Sequence, residues 1–461
     1  MTHPGLVAAR AKMAAAGVDP VAIDVFEHYF HQLERGATGM IPESTIEPVA
    51  MESLAGIDVA DDVAADAIRK TAVIKLNGGL GTSMGMEQAK SLLAVRDGHT
   101  FLDIMVRQIL HLRQKHNARL PLILMNSFRT AADTHAALET YLADGLAVDG
   151  LPIDFLQNRE PRLLADTLEP VEWPDDPALE WCPPGHGDLY TALQGSGLLC
   201  ALRERGFERV FVSNSDNLGA TPDARIAGWF AASGAPFAIE AVRRTASDKK
   251  GGHFARRLSD GRIVLRETAQ TLPEDQRALA DLSRHPYCST NNLWFDLAAM
   301  EDELNRRQGV LGLPLIRNEK SVVNGDSTSP KVFQIETAMG AAIEVFEGAK
   351  TIEVGRDRFI PVKTTSDLLV LRSDVYELRA DYTLVQRSAT LPYVDLSDPY
   401  RLIKDFDERF AAGVPSLRDA ESLTINGDWT FGPEVTVSGV ASLGDDGGSI
   451  PAGAILGEPQ T

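Results

Sequence analysis

The sequence predicts an α/β protein: a layered sheet with helices on its faces, entered through a short helical region and followed by a tail of short strands. Three observations carry this. From Thr71 to about Asp381, β-branched and apolar runs alternate with segments of helical periodicity, as in a sheet covered on both faces. Before Thr71, apolar positions recur at helical spacing. After Asp381, short strands succeed one another across Gly, Asp and Pro with no helix between them. A chain of 461 residues has room for about two or three domains, and the boundaries expected are 1–70, 71–381 and 382–461.

In the first region Ile23, Phe26, Phe30 and Leu33 mark a helix that Asp19-Pro20 would start. A loop follows over 36–45, and a second helix over 58–70. The strands expected next are 71–76, 122–125, 209–212, 237–242, 263–266, 293–295 and 368–371. Helices are expected at 101–115, 131–142, 189–205, 223–232 and 335–346. In open sheets of this kind ligands bind beyond the carboxyl ends of the strands, so residues at those ends matter most. In the tail, runs at 423–431, 435–437 and 449–456 fit either a small β-helix or a plain antiparallel appendage.

Composition narrows the function. Apolar residues at 44% and charged residues at 24% are ordinary globular usage, which excludes a disordered or fibrous chain. Lys and Arg number 45 against 65 Asp and Glu, a net charge of −20. Such a surface repels phosphate backbones and anionic lipids, so neither nucleic acid nor membrane is expected as a partner. Three cysteines, Cys182, Cys200 and Cys288, form no CxxC and cannot all pair, as expected of a reducing cytoplasm. Arg10 and Lys12 interrupt the alanine-rich start where a signal peptide would be apolar, and no run approaches the roughly 18 apolar residues of a membrane span.

Four segments could do chemistry. Directly after the first strand runs Lys75-Leu76-Asn77-Gly78-Gly79-Leu80-Gly81-Thr82-Ser83-Met84-Gly85, then Lys90-Ser91. Clustered glycines let backbone N–H groups approach a phosphate closely. The dinucleotide and kinase glycine patterns fail because Met84 stands where a glycine is needed, and no Gly-Lys-Ser/Thr makes a Walker A loop. The second segment, Val210-Phe211-Val212-Ser213-Asn214-Ser215-Asp216-Asn217, runs an apolar strand into a carboxylate. That arrangement suits Mg²⁺, though Asp216 or Asn217 could equally cap the next helix or make an Asx turn. The third, Pro183-Pro184-Gly185-His186-Gly187-Asp188, pins a histidine in a constrained loop where it could donate to a phosphate, with Asp188 as a candidate helix cap. No HxH pattern supports a covalent histidine intermediate. The fourth, Gly355 to Asp367, holds Lys363 between Phe-Ile-Pro-Val and a run of hydroxyl residues; alone it is uninformative.

Together these segments resemble the UTP–glucose-1-phosphate uridylyltransferase family of the larger, eukaryotic type, over nearly the whole chain. The motifs are KLNGGLGTSMG, FLD at 101–103, PLILMNSF at 121–128, PPGHGD and FVSNSDNLGAT at 211–221. They continue as KGG at 250–252, NNLWF at 291–295, QIETAMGAAI at 334–343 and RFIPVKTTSDLLVL at 358–371. The related N-acetylhexosamine pyrophosphorylases typically read LAGGQGTRLG at the first loop. Here Asn77, Leu80 and Ser83 replace that Ala, Gln and Arg, favouring the glucose branch. Two departures are Gln88-Ala89 for the family's Gly-Pro before Lys90, and Ser215 within its Asn-Ile-Asp.

The resemblance implies a Rossmann-like nucleotidyltransferase domain with a mixed, mostly parallel sheet, a helical N-terminal region and a C-terminal left-handed β-helix through which a homo-oligomer could form. It implies Mg²⁺-dependent, reversible transfer of UMP from UTP to α-D-glucose 1-phosphate, releasing pyrophosphate. Leu76, Asn77, Gly78 and Gly79 would cradle UTP with Lys90 on its phosphates, while Gln157 and Gly185 meet the uracil. His186, Asn214 and Ser215 would hold the sugar phosphate, and Asp216 the metal. Gly252, Glu267, Asn291 and Asn292 would recognise the glucose, and Lys363 would meet the phosphates being joined. A sister enzyme using galactose or N-acetylglucosamine 1-phosphate would share nearly every motif. A non-catalytic sugar-nucleotide sensor would lose the lysines that this chain keeps.

Overall fold

The structure is a computed structural model describing residues 2–249, 251–323, 326 and 328–457. Lys250 of the KGG segment lies outside the described residues. Eight strands make the main sheet: β1 (Glu52–Ser53), β2 (Thr71–Asn77), β3 (Leu122–Asn126), β4 (Asp154–Leu156), β5 (Arg209–Asn214), β6 (Phe237–Arg243), β7 (Tyr287–Asp296) and β8 (Lys350–Glu353). Their order is β1-β8-β6-β7-β5-β2-β3-β4. Only β7 runs antiparallel to its neighbours. Side chains alternate between two cores. Val73, Leu124 and Phe211 pack on one face with Ile104, Leu138 and Ile226 from helices. Ala72, Ile74, Ile123, Val210 and Val212 pack on the other with Leu189, Leu199 and Met300. Because both faces are covered, β2 and β5 carry consecutive apolar residues, Ala72–Ile74 and Val210–Val212, rather than alternating ones.

Helix ends follow local chemistry. Thr100 and Asp103 form a capping box at the start of Phe101–His116, and Asp223 caps Ala224–Ser233. Asp19 caps Pro20–Glu34 as its sequence predicts, with Pro20 at the first turn. That helix and Pro4–Ala15 share a small separate core of Leu6, Phe26 and Phe30. The N-terminal region is not purely helical, however. Glu52–Ser53 adds the edge strand β1, and Ile46–Glu47 pairs with Arg257 and Arg256.

Three further expectations are corrected. The run 368–371 is not a strand but part of the helix Thr365–Arg372, started by a Thr364/Asp367 capping box; a short apolar run alone does not separate the two. The segment 335–346 is not one helix: strand Lys331–Glu336 leads into a 3₁₀ turn, Met339–Glu344. The helix expected over 189–205 breaks into Leu189–Gly195 and Leu198–Glu204, with Gly197 at a left-handed φ of 72°.

In the tail, strands Tyr393–Leu396, Ser416–Ile425, Thr436–Leu443 and Ile455–Leu456 form one parallel sheet, and Trp429–Phe431 pairs in parallel with Gly448–Ile450. Successive strands return in the same direction, which rules out the antiparallel appendage. Their inward residues Leu417, Leu423, Phe431 and Val437 pack with Tyr400, Phe406 and Phe410 into the first core.

Candidate active site

The carboxyl ends of β2 and β5 lie side by side, Leu76 opposite Asn214 in register. After β2 the chain makes the glycine-rich loop, with Gly81 and Gly85 at left-handed φ values of 67° and 73°. Only glycine adopts that conformation without strain. The loop closes on itself where the Lys90 backbone N–H donates to the Gly79 carbonyl at 3.0 Å. That brings the Lys90 ammonium to 2.6 Å from Asp216 Oδ2, and it also donates to the Val362 carbonyl. Three segments distant in sequence are therefore tied at one point, and Lys363 follows directly. The Lys363 backbone N–H donates to Asp367 Oδ2 at 2.8 Å, so the helix replacing the expected strand anchors the lysine at its amino end, leaving its side chain exposed.

Asp216 does not cap the next helix, since Asp223 does. Asn217 does make the Asx turn, its Oδ1 accepting from Gly219 N–H at 3.2 Å and Ile360 N–H at 2.9 Å. Asn214 and Ser215 directly precede them, with Ser215 N–H on the Leu76 carbonyl.

A second wall comes from two loops joined by Asp188. This carboxylate does not cap the following helix. It accepts instead from Asn158 N–H at 2.6 Å and Asn158 Nδ2 at 2.8 Å. Burial pushes its pKa up to about 6, against the pull of those two bonds. The joint sets Gln157 against Gly78, where a Cβ would stand 2.7 Å from Gln157 Oε1. On the other loop Gly185, at φ 77°, presses on Thr337, whose carbonyl would lie 2.6 Å from an added Cβ. His186 Nδ1 accepts from Met339 N–H at 2.9 Å, so the neutral ring carries its proton on Nε2. Burial pushes the His186 pKa down to about 4, and it stays a neutral donor near pH 7.

Of the residues expected to meet the sugar, Gly252 and Glu267 face each other. An added Cβ on Gly252 would come within 2.6 Å of Glu267 Oε2. Burial raises the Glu267 pKa while the Lys363 ammonium opposes it. Asn291 takes a left-handed φ of 58° at a bulge in the β6–β7 pairing. Bulges of this kind re-aim side chains.

Two expected binding side chains are occupied elsewhere. Asn77 is buried, its Nδ2 donating to Asn126 Oδ1 and Thr134 Oγ1, while its Oδ1 is buried without a partner. Asn292 is fully buried, its amide donating to Glu240 Oε2 at 3.0 Å.

Sequence reasoning missed the charged layer beneath the site. Arg358 makes two bonds to Glu240, at 2.6 and 2.7 Å, and Trp294 Nε1 donates to the same carboxylate at 2.9 Å. Lys75, 1% exposed, donates to the Ala220 carbonyl at 2.5 Å. Burial, then Arg358, push its pKa down to about 7. A lysine inside Ala-Val-Ile-Lys-Leu and a glutamate inside Phe-Ala-Ile-Glu-Ala-Val were the signals available, since charges in buried strands need partners.

The molecule falls in the class of α/β nucleotidyltransferases. More narrowly, the chain belongs to the UTP–glucose-1-phosphate uridylyltransferase family, whose sequence model matches residues 23–438. It is 37% identical over 443 residues to the probable UTP–glucose-1-phosphate uridylyltransferase of Schizosaccharomyces pombe, covering 94% of this chain and 85% of that protein. It is 39% identical to the UTP–glucose-1-phosphate uridylyltransferase of Saccharomyces cerevisiae over 84% of this chain and 77% of that one. Among solved structures it is similar to a variant of the Leishmania major UDP-glucose pyrophosphorylase in complex with UDP-glucose. The TM-score is 0.93 at 41% identity, covering 99% and 98% of the two chains.

Proposed function

We propose that this protein makes UDP-glucose and pyrophosphate from UTP and α-D-glucose 1-phosphate, reversibly, by direct in-line attack without a covalent intermediate. The observation that carries it is the junction of Lys90, Asp216 and Val362-Lys363 at the carboxyl ends of β2 and β5. The attacking phosphate oxygen is already anionic at neutral pH, so no strong base is needed. The barrier is the repulsion of two anions and the charge gathering on pyrophosphate.

The amides from Leu76 to Gly79 would cradle UTP, and Gln157 and Gly185 would select uracil. Lys90 would leave Asp216 for the UTP phosphates. Lys363, whose side chain is exposed, would meet the phosphates being joined, and its charge would grow in value as they approach. His186 Nε2, with Asn214 and Ser215, would hold the sugar phosphate; Gly252, Glu267 and Asn291 would read the glucose hydroxyls. Asp216 offers a hard carboxylate oxygen at a strand end, the kind of donor that suits Mg²⁺. When bound there, the ion would supply charge neutralisation to the phosphates.

In this reading residues 71–381 are the catalytic domain, flanked by 1–70 and by a left-handed β-helix within 382–461 that offers contacts to a second copy. Among the described residues no helix is long and apolar enough to cross a membrane; the chemistry belongs in the cytoplasm. The test is pyrophosphate release from UTP and Mg²⁺ with glucose 1-phosphate, galactose 1-phosphate or N-acetylglucosamine 1-phosphate. Turnover with glucose 1-phosphate alone is expected. Preference for another sugar assigns a sister activity, and UDP-glucose binding without turnover refutes an enzyme.

A further inference from the structure

Behind Gly252 and Glu267 lies a buried cluster that none of these roles uses. Strand His253–Arg257 pairs with Ile263–Arg266, His253 standing opposite Arg266. The residues next to the two sugar-facing positions are thus partners, and both are fully buried. Arg266 donates to Asp275 Oδ2 at 2.8 Å and to Glu43 Oε2 at 2.5 Å. Glu43 arrives from the N-terminal region. Its Oε1 accepts from Arg284 Nε at 2.5 Å and meets His285 Nε2 at 2.9 Å, while its backbone N–H donates to Asp275. His285 stacks on His253 with centroids 3.8 Å apart and planes at 20°. Backbone bonds flank the junction, Ile41 N–H to Gln270 O on one side and the Ile46–Glu47 pairing on the other.

Glu43, His253 and His285 have ligand atoms within 4.8 Å of one another, which invites a metal. The chemistry opposes it. Two guanidinium groups and an imidazole already share the carboxylate, so a divalent cation would face their repulsion. Nearly parallel stacked rings also aim their lone pairs along separate planes rather than at a common centre.

We propose that Glu43 is a positioning residue for sugar recognition: by drawing Arg266 and His285 together, it fixes the gap between Glu267 and Gly252. The inference rests on the reading that those two residues meet the sugar. Arg266 is bonded through the chain to Glu267, whose Oε2 already fills the space a Gly252 Cβ would need. Loss of the Glu43 carboxylate leaves the buried Arg266 with Asp275 alone, and the hairpin free to shift by the fraction of an ångström that hydroxyl recognition does not tolerate.

The test compares steady-state kinetics of the full chain with those of Glu43→Gln and Glu267→Gln. Glu43→Gln should raise KM for glucose 1-phosphate about tenfold, as for the loss of one charged hydrogen bond, with KM for UTP unchanged. If Glu43→Gln fails to fold, Glu43→Asp should show the same split in smaller measure. If Glu267→Gln leaves KM for the sugar phosphate unchanged, the sugar reading fails. If it raises that KM and neither Glu43 variant does, the positioning role is overturned. A uniform fall in kcat with both KM values altered would make Glu43 merely structural. A Zn²⁺-dependent rise in melting temperature that Glu43→Gln abolishes would make the cluster a metal site.

Discussion

Replacing Lys90 by methionine keeps the stem and removes the charge at the point where three segments meet. Lys90 Nζ is 2.6 Å from Asp216 Oδ2, and the side chains are 15% and 20% exposed. At an effective dielectric of about 20 that separation gives a gross attraction of about 6 kcal/mol. Desolvating two ions takes most of it back, leaving a contribution to stability of about 2 kcal/mol. The catalytic loss should be larger: one preorganised donor aimed at developing phosphate charge is worth on the order of 3 kcal/mol, about a hundredfold in kcat. The two effects separate in the assay. Lys90 holds Asp216 in the free protein, so it competes with a cation for that carboxylate. Lys90→Met should therefore lower kcat about a hundredfold while the half-saturating Mg²⁺ concentration stays equal or falls. Pyrophosphate release at saturating UTP and glucose 1-phosphate, titrated with Mg²⁺, reads both. An undiminished kcat, or a raised Mg²⁺ requirement with kcat intact, would refute the reasoning.

Lys363→Ala should keep its melting temperature and UTP affinity, because the side chain is exposed, yet turn over about a hundredfold slower; a wild-type kcat removes it from the site. Gly185→Ala, at φ 77° with the Thr337 carbonyl in the way, should displace the loop and weaken UTP binding by calorimetry; wild-type affinity would show that Gly185 does not shape the uracil pocket. His186, with its pKa pushed down to about 4, should contribute no inflection to kcat/KM between pH 6 and 8; one that His186→Asn abolishes would contradict its neutral state. Lys75 has its pKa lowered from 10.5 to about 7, so between those values the unfolded chain holds a proton that the folded chain has released. The stability of the wild type relative to Lys75→Met should therefore rise with pH across that window, at up to about 1.4 kcal/mol per unit. Urea melts at pH 7 and pH 9 with equal differences would exclude the lowered pKa of Lys75.

How far the sequence disclosed this site depended on whether a residue's meaning was local. The glycine loop, Asp216 after an apolar strand and the capping residue Asp19 were legible because each acts on groups within a few positions of itself. Leu368–Leu371 was not, since four apolar residues fit a buried strand or a buried helix equally; what decided it was the Thr364/Asp367 box just upstream. Asn292 shows the opposite failure. It stands beside Asn291 in the chain, and only the bulge in β7 and the buried Glu240 separate their fates. Glu240, Lys75 and Arg358 were each visible as charges in apolar surroundings, but their partners lie up to 145 residues away. Pattern alone names the debt of a buried charge and not who settles it. Recognition of the ordered motifs as a set bridges that gap for groups facing a ligand, because those appear as motifs. It bridges it poorly for Glu43, whose partners Arg266, Arg284 and His285 share no motif with it. The layer behind a site is thus where coordinates add most to sequence, and where the residues that position a ligand-facing side chain are to be sought.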